Sequence, residues 1–375
     1  MDFTFTPEQT MLRDTVRSVL TRHYTPERRA EVIADDPGWD PKVWAAFAEI
    51  GLLGLTVSAE DGGIGGGPIE TMLALEELGR TLAPEPVFDC ALLPALMIGR
   101  AGTPDQCAAL LPGIVDGEQL FAFAQAEPGL RWPYTQVETL ALDNGDQWTL
   151  TGRKSPVSYG DRADRLIVSA VVPTGETALF LVDARDAAVV RTAYRTYDGR
   201  RGADIELRNA PAELLGTSLD AGAVIDEAVI TTQAALGAES VGAMAEALRL
   251  TTEYLKTRKQ FGVALRTFQT LTHRAADMYV SLELARSMSL YASMSLADGV
   301  VDPTVASRAK RRIDLSGKHI GQQAIQLHGG IGMTAEYPVG HYTARLTTIE
   351  HTLGDTSDHL RYLSGLLGEH QMAEI

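Results

Sequence analysis

Two short stretches carry residue types that could do chemistry. The first, Arg258-Lys259-Gln260-Phe261-Gly262, ends a long proline-free run that reads as helix, and Gln269 follows soon after. A guanidinium there can grip a phosphate while Phe261 and Gln269 line a cofactor. A basic pair before a glycine is also ordinary helix-end compensation and capping. The second, Gln326-Leu327-His328-Gly329-Gly330-Ile331-Gly332-Met333, ends another long run in a glycine cluster. Glycines let backbone approach a ligand closely, and successive N–H groups can cradle an anion; a helix stop followed by a loop accounts for the same residues. No Gly-Lys-Ser/Thr follows, as a Walker loop requires, and no strand precedes it, as a dinucleotide fingerprint requires. The glycine-rich stretch 61–68 fails the same two tests. Eight histidines are scattered without metal-ligand spacing, so no metal is expected, and no Ser/His/Asp or Cys/His set can be nominated.

The elements that must position these residues fall into three textures. Up to about residue 115 the sequence reads as helices with clear start signals. Thr6-Pro7-Glu8-Gln9 supplies a capping hydroxyl, proline at N1 and glutamine at N3, ahead of an apolar stripe of Leu12, Val16, Val19 and Leu20. Asp40-Pro41 and Thr103-Pro104 repeat the cap-plus-proline device. Between about 117 and 225, β-branched and aromatic runs appear at Leu120–Ala124, Trp148–Thr151, Leu166–Val172, Ala178–Val182 and Ala203–Leu207, separated by turn residues. That is the pattern of an antiparallel sandwich or barrel, and no helix long enough for a parallel crossover intervenes. From about Asp226 three segments, roughly 226–257, 266–298 and 303–328, each run more than 20 residues without an internal proline. Long helices with short connections predict a four-helix bundle. The expected fold is therefore α+β: a helical domain over 1–116, a middle β-domain over 117–225 and a C-terminal bundle over 226–375.

Composition narrows the function. The chain has 375 residues, 45% of them hydrophobic, ample for roughly two to three domains at about 150 residues each. A formal net charge of −16 and a pI of about 4.9 argue against nucleic acid or an anionic membrane as partner. Cys90 and Cys107 cannot make a disulfide framework. The opening MDFTFTPEQ carries an acid where a signal peptide is basic, and no stretch reaches the ~20 apolar residues that span a bilayer. A cytoplasmic location is expected.

The order of the motifs resembles the acyl-CoA dehydrogenase family through nearly the whole chain. Phe5-Thr6-Pro7-Glu8-Gln9, Ile50-Gly51-Leu52-Leu53-Gly54 and Leu75-Glu76-Glu77-Leu78-Gly79-Arg80 look like its first domain. Glu127-Pro128-Gly129 looks like the start of its β-domain and Thr151-Gly152-Arg153-Lys154 like the strand flanking the flavin. The 258–262 stretch, the 326–332 stretch and Glu336-Tyr337-Pro338 are the most specific. The resemblance implies three domains, FAD, tetramers with flavin sites straddling subunit interfaces, and an electron-transfer flavoprotein as acceptor. It also implies oxidation of an acyl-CoA between its α and β carbons, with a glutamate taking the α-proton. Arg258, Phe261, Gln269, Gln326, Gly329, Gly330, Ser158 and Thr356 match its cofactor-binding positions.

The sequence departs from the family at the base. Anchored on Thr356, the glutamate position is Gly354; in members that carry the base on the first long C-terminal helix, the position falls at Thr232-Gln233. Neither holds an acid. Asp355 is the nearest, offset by one residue, which on a helix is a rotation of about 100°, and shorter by a methylene. The flavin-ring threonine aligns with Ala126 and the ring-covering aromatic with Pro156, although Ser158 keeps a hydroxyl. Residues that in the family reach a neighbour's FAD are intact, whereas those serving the chain's own are depleted. This asymmetry predicts one half of a two-gene α2β2 dehydrogenase, a type that occurs in bacterial steroid degradation, acting on a bulky polycyclic CoA ester. A homomeric enzyme using Asp355, and a catalytically silent acyl-CoA-binding or scaffold homologue, are the alternatives.

Overall fold

A computed structural model of the chain describes residues 4–133, 136–145 and 147–369. Helices α1 (Pro7–His23), α2 (Pro26–Ala34), α3 (Pro41–Glu49), α4 (Pro68–Thr81), α5 (Leu93–Ala101) and α6 (Pro104–Val115) come first. Seven strands follow: β1 (Phe121–Ala124), β2 (Leu140–Asp143), β3 (Trp148–Ser158), β4 (Arg165–Val171), β5 (Thr177–Asp183), β6 (Val189–Arg195) and β7 (Arg201–Leu214). The remainder is α7 (Gly222–Thr257), the two-residue strands β8 (Lys259–Gln260) and β9 (Val263–Ala264), α8 (Gln269–Ala297), α9 (Pro303–His328), α10 (Val339–Glu350) and α11 (Thr356–Gly365). The start signals behave as their chemistry demands. Thr6 and Thr103 form capping boxes with Gln9 and Gln106, and Asp40 accepts from the Lys42 N–H.

The described residues form two compact units. A barrel unit gathers Glu27–Thr71 and Pro84–Thr232; a bundle unit gathers the chain before it, Met72–Ala83 and the chain from Gln233 onward. In the barrel unit the sheet runs β1-β4-β2-β3-β7-β5, β5 pairs back to β4, and β6 lies on β7. Most pairings are antiparallel, as the strand spacing predicts. The exceptions are both on β4: β1 lies parallel to it from Phe121↔Arg165 to Ala124↔Val168, and β2 meets it in parallel at Leu140↔Val171. The crossover from β1 is made of β2 and β3 rather than a helix, so the argument from missing helices does not exclude it. The run predicted at Trp148–Thr151 is the first third of an 11-residue strand, and Ala203–Leu207 lies in the first half of a 14-residue one. Leu150, Val168, Phe180, Ile205 and Leu207 fill the interior. Lys154 crosses that interior as an ammonium. Its Nζ donates to Glu127 Oε1 at 2.7 Å, Gln125 O at 3.1 Å and Ser169 Oγ at 3.1 Å. Burial works against the Glu127 charge, but Lys154, Thr139 and the Glu138 N–H hold its carboxyl below the usual range; burial pulls Lys154 down to about 8.

In the bundle unit α9 packs against α8, α10 and α11. Met244, Leu248, Met278, Leu282, Ile313, Ile320 and Leu346 share the core. The end of α4 joins it by backbone approach: a Cβ on Gly79 would stand 2.0 Å from Glu239 O, and one on Gly242 1.9 Å from Glu76 O. Glycine is required at both places because the helices touch there. Beside that contact Arg345 and Glu239 form a buried two-point ion pair at 2.9 and 2.6 Å.

Candidate cofactor surface and the vacant base position

At the end of α7 the Arg258 N–H donates to Tyr254 O at 2.8 Å, and the chain then turns through the β8–β9 hairpin. Leu265 N–H returns to Arg258 O at 2.9 Å and closes it. Phe261 stands at the tip with φ +53 and is 91% exposed; its ring meets Phe268 edge-on, centroids 6.2 Å apart. Arg258 is exposed, and no carboxylate pairs with it among the described residues. Gln269, the first residue of α8, is exposed as well.

The second stretch forms at the end of α9. Gln326, Gly329 and Gly330 are exposed, and Met333, closing the short turn Gly329–Met333, is 80% exposed. Nothing lies within 4 Å of where a Cβ on Gly329 or Gly330 would stand, so this backbone is open to a ligand. His328 turns the other way. It is buried, its Nδ1 is 2.8 Å from Ala324 O, and its ring lies 4.6 Å from that of Tyr254 and 4.8 Å from that of Tyr337. These ring contacts bring the two stretches, 68 positions apart from Arg258 to Gln326 in sequence, to one end of the bundle. An unpaired guanidinium, an exposed ring, exposed amides and open glycine backbone together suit an anionic ligand with aromatic and sugar parts, the chemistry of a dinucleotide such as FAD.

The turn after α10 has the opposite character. Leu353 and Gly354 take φ of +56 and +94, so residue 354 sits where any side chain is strained. Gln233 Nε2 donates to Leu353 O at 3.1 Å, which joins residue 233 to the turn that holds Gly354, the two places where the resemblance leads one to expect a base. Three carboxylates around this turn, Asp355, Glu350 and Asp314, are engaged. Asp355 Oδ1 caps α11, accepting from Ser357 N at 2.8 Å and Asp358 N at 2.9 Å; these backbone donors, Asp358 foremost, hold its carboxyl below the usual range. Glu350 accepts from Thr356 Oγ1 at 3.3 Å and pairs with Lys318 at 3.5 Å. Asp314 is bound by Lys310 Nζ at 2.6 Å, though burial still pushes its carboxyl up to about 7. The Lys310 side chain has no exposure, and its Nζ also reaches Ile349 O at 2.9 Å and Glu350 O and Gly354 O at 3.4 Å. His359 Nε2 lies 3.1 Å from Leu353 O. Sequence reasoning missed Lys310 and His359, because a Lys–Asp pair at i, i+4 reads as a solvated helix face.

Among the matched positions, Thr356 therefore directs its hydroxyl inward, and Ser158 belongs to the barrel unit, exposed at the end of β3. Ala126 contributes only its carbonyl, to Ser155 N–H at 2.8 Å. Among the described residues no cluster of His, Cys, Asp and Glu is arranged to hold a metal, and no helix is long and apolar enough to cross a membrane.

Comparison with known proteins fixes the family. Residues 6–118 match the acyl-CoA dehydrogenase N-terminal domain and residues 223–360 the C-terminal domain. Acyl-CoA dehydrogenase IpdE2 of Mycobacterium tuberculosis is 30% identical over 365 residues, covering 96% of this chain and 98% of that protein. The chain belongs to the acyl-CoA dehydrogenase family. Two solved structures extend the comparison. A variant of the Tcur3481-Tcur3483 steroid ACAD is 34% identical with a TM-score of 0.89, covering 96% of this chain and 98% of that one. The ChsE4-ChsE5 complex from Mycobacterium tuberculosis is 26% identical with a TM-score of 0.91, covering 99% of this chain and 100% of that one. The order of helices, barrel and long helices is thus that of the acyl-CoA dehydrogenases.

Proposed function

We propose that this acyl-CoA dehydrogenase homologue is one subunit of a heteromeric, FAD-dependent enzyme and completes a partner's active site instead of running its own. The observation that carries the proposal is the converged base position. Gln233 and Gly354 occupy it, and Asp355, Glu350 and Asp314 are each held by other groups. A general base needs a free carboxylate within reach of the α-carbon, and this place offers none. FAD, when bound, supplies the acceptor for the β-hydrogen.

Arg258 would pair with an FAD phosphate, Phe261 would cover an apolar face, and Gln269, Gln326 and the Gly329–Gly330 backbone would hydrogen-bond to the rest. The α-proton would go to a glutamate of the homologous partner, in an α2β2 assembly that passes electrons to an electron-transfer flavoprotein in the cytoplasm. A bulky, steroid-type CoA thioester is the substrate class, supported by the likeness to the steroid ACAD at 34% identity. The division at 116/117 and 225/226 belongs to the same proposal, with Ser158 and Thr356 as its remaining cofactor-side hydroxyls.

The test is co-expression with a glutamate-bearing homologue. Activity and bound flavin that appear only in the pair support the proposal. Full flavin and turnover in this chain alone, abolished by Asp355→Asn, would replace it with the homomeric reading. No activity with any such partner would favour a silent acyl-CoA-binding protein.

A further inference from the structure

Three rings from three separate places meet behind the exposed end of the bundle. Tyr254 lies in the last turn of α7, four residues before Arg258 and bonded to it through its carbonyl. His328 is the last residue of α9, directly before Gly329. Tyr337 precedes α10. The Tyr254 and His328 rings lie 4.6 Å apart at 32°, the His328 and Tyr337 rings 4.8 Å apart at 49°, and the two tyrosines meet edge-on at 6.2 Å. All three pairs fall in the range where aromatic rings attract beyond simple burial. His328 is buried between the two half-buried tyrosines, and burial lowers its pKa, so the central ring is neutral. A Cβ on Gly332 would stand 3.0 Å from His328 Cβ, so the glycine turn also folds against the base of this side chain.

We propose that Tyr254, His328 and Tyr337 form a rack that sets the spacing between the Arg258 hairpin and the Gly329–Gly330 turn, so that both meet one cofactor on a partner subunit. This rests on the trans-cofactor reading above. The rings do not touch the ligand; they are positioning residues, acting through the segments on either side. The hairpin also has local support of its own: Phe261 meets Phe268 edge-on and Leu265 packs on the bundle core, while nothing lies within 4 Å of a Cβ on Gly329 or Gly330. The three-ring contact is what joins the end of α7 to the end of α9.

The assembly in which this chain purifies is stripped of flavin and titrated with FAD, following flavin fluorescence and the flavin circular dichroism. His328→Ala is expected to weaken FAD about tenfold, the loss of two ring contacts. His328→Phe keeps a ring in the slot without the Ala324 bond, and is expected to bind within about twofold of wild type with an unchanged flavin spectrum. Arg258→Ala runs in parallel as the test of the underlying reading. If Arg258→Ala loses FAD and His328→Ala does not, the rack is wrong and the trans-cofactor reading stands. If Arg258→Ala binds FAD normally, both are wrong. Equal losses in His328→Ala and His328→Phe would also overturn the rack, since the hydrogen bond rather than the ring would then matter. Should His328→Ala fail to assemble, Tyr337→Leu carries the same expectation at about threefold, and an unchanged affinity there overturns it.

Discussion

The hairpin-and-glycine end of the bundle and the turn after α10 belong to one compact unit, yet they treat polar groups in opposite ways. At the first, Arg258, Gln269, Gln326 and the Gly329–Gly330 backbone face outward, and Phe261 leaves 91% of its surface exposed. At the second, Lys310, Gln233 and His359 are buried and bond to carbonyls of the turn, Thr356 bonds to Glu350 and Asp355 caps α11, around a glycine with φ +94. Exposed groups without internal partners cost the isolated chain little and wait for a ligand. Buried groups must be matched inside, and once matched they are unavailable to one. The turn where the resemblance leads one to expect the base is thus a structural joint here.

The contrast can be broken most strongly at Lys310. Lys310→Met leaves the Asp314 carboxylate stranded in the core and removes a donor from the Ile349, Glu350 and Gly354 carbonyls, and should cost about 3–5 kcal/mol in denaturant unfolding. Lys310→Met combined with Asp314→Leu should recover much of that loss. If the single substitution costs under 1 kcal/mol, on the order of an exposed pair, the joint is not what holds the turn.

Acid tests the same joint through His359. Burial foremost, and then the Lys310 charge, pull its pKa from 6.5 to about 4. Between those values the unfolded chain takes up a proton that the folded chain refuses. Stability should therefore be intact above pH 6.5 and fall by about 3 kcal/mol as the pH drops through that window. His359→Leu should flatten this part of the profile. The difference between the two proteins isolates His359 from Asp314, whose raised pKa acts in the opposite direction.

Smaller effects separate structure from chemistry. Asp355→Ala should cost about 1 kcal/mol by uncapping α11, whereas Asp355→Asn, which caps equally well, should keep both stability and turnover of the assembled enzyme. Lost turnover in Asp355→Asn would make Asp355 the base after all. At the outward end, Phe261→Ala should change stability by less than about 0.5 kcal/mol while weakening flavin retention in the assembly. Melting curves and flavin content measured on one preparation decide this.

Much of the architecture was legible because it rests on local chemistry. Thr6, Asp40 and Thr103 announce their helices by capping geometry, and the long helices show as proline-free runs of more than 20 residues. Two strands of the barrel unit were not legible. β2 exposes Leu140 and Leu142 and buries Ala141, inverting the usual alternation, and β6 is an edge strand that pairs only with β7. The outward surface could be named from motifs. The inward joint could not, since nothing in Lys310 or His359 as letters says that α9 is covered on the side they occupy. The Tyr254–His328–Tyr337 contacts were likewise hidden, being made by residues far apart in the chain.

The central claim is that this subunit gives groups to a cofactor it does not use alone. The most direct measurement is flavin stoichiometry with native mass, for the chain by itself and for the chain purified with a glutamate-bearing homologous subunit. The account predicts little flavin alone and one FAD per heterodimer in the pair. One FAD per chain in a stable, active homotetramer would contradict it.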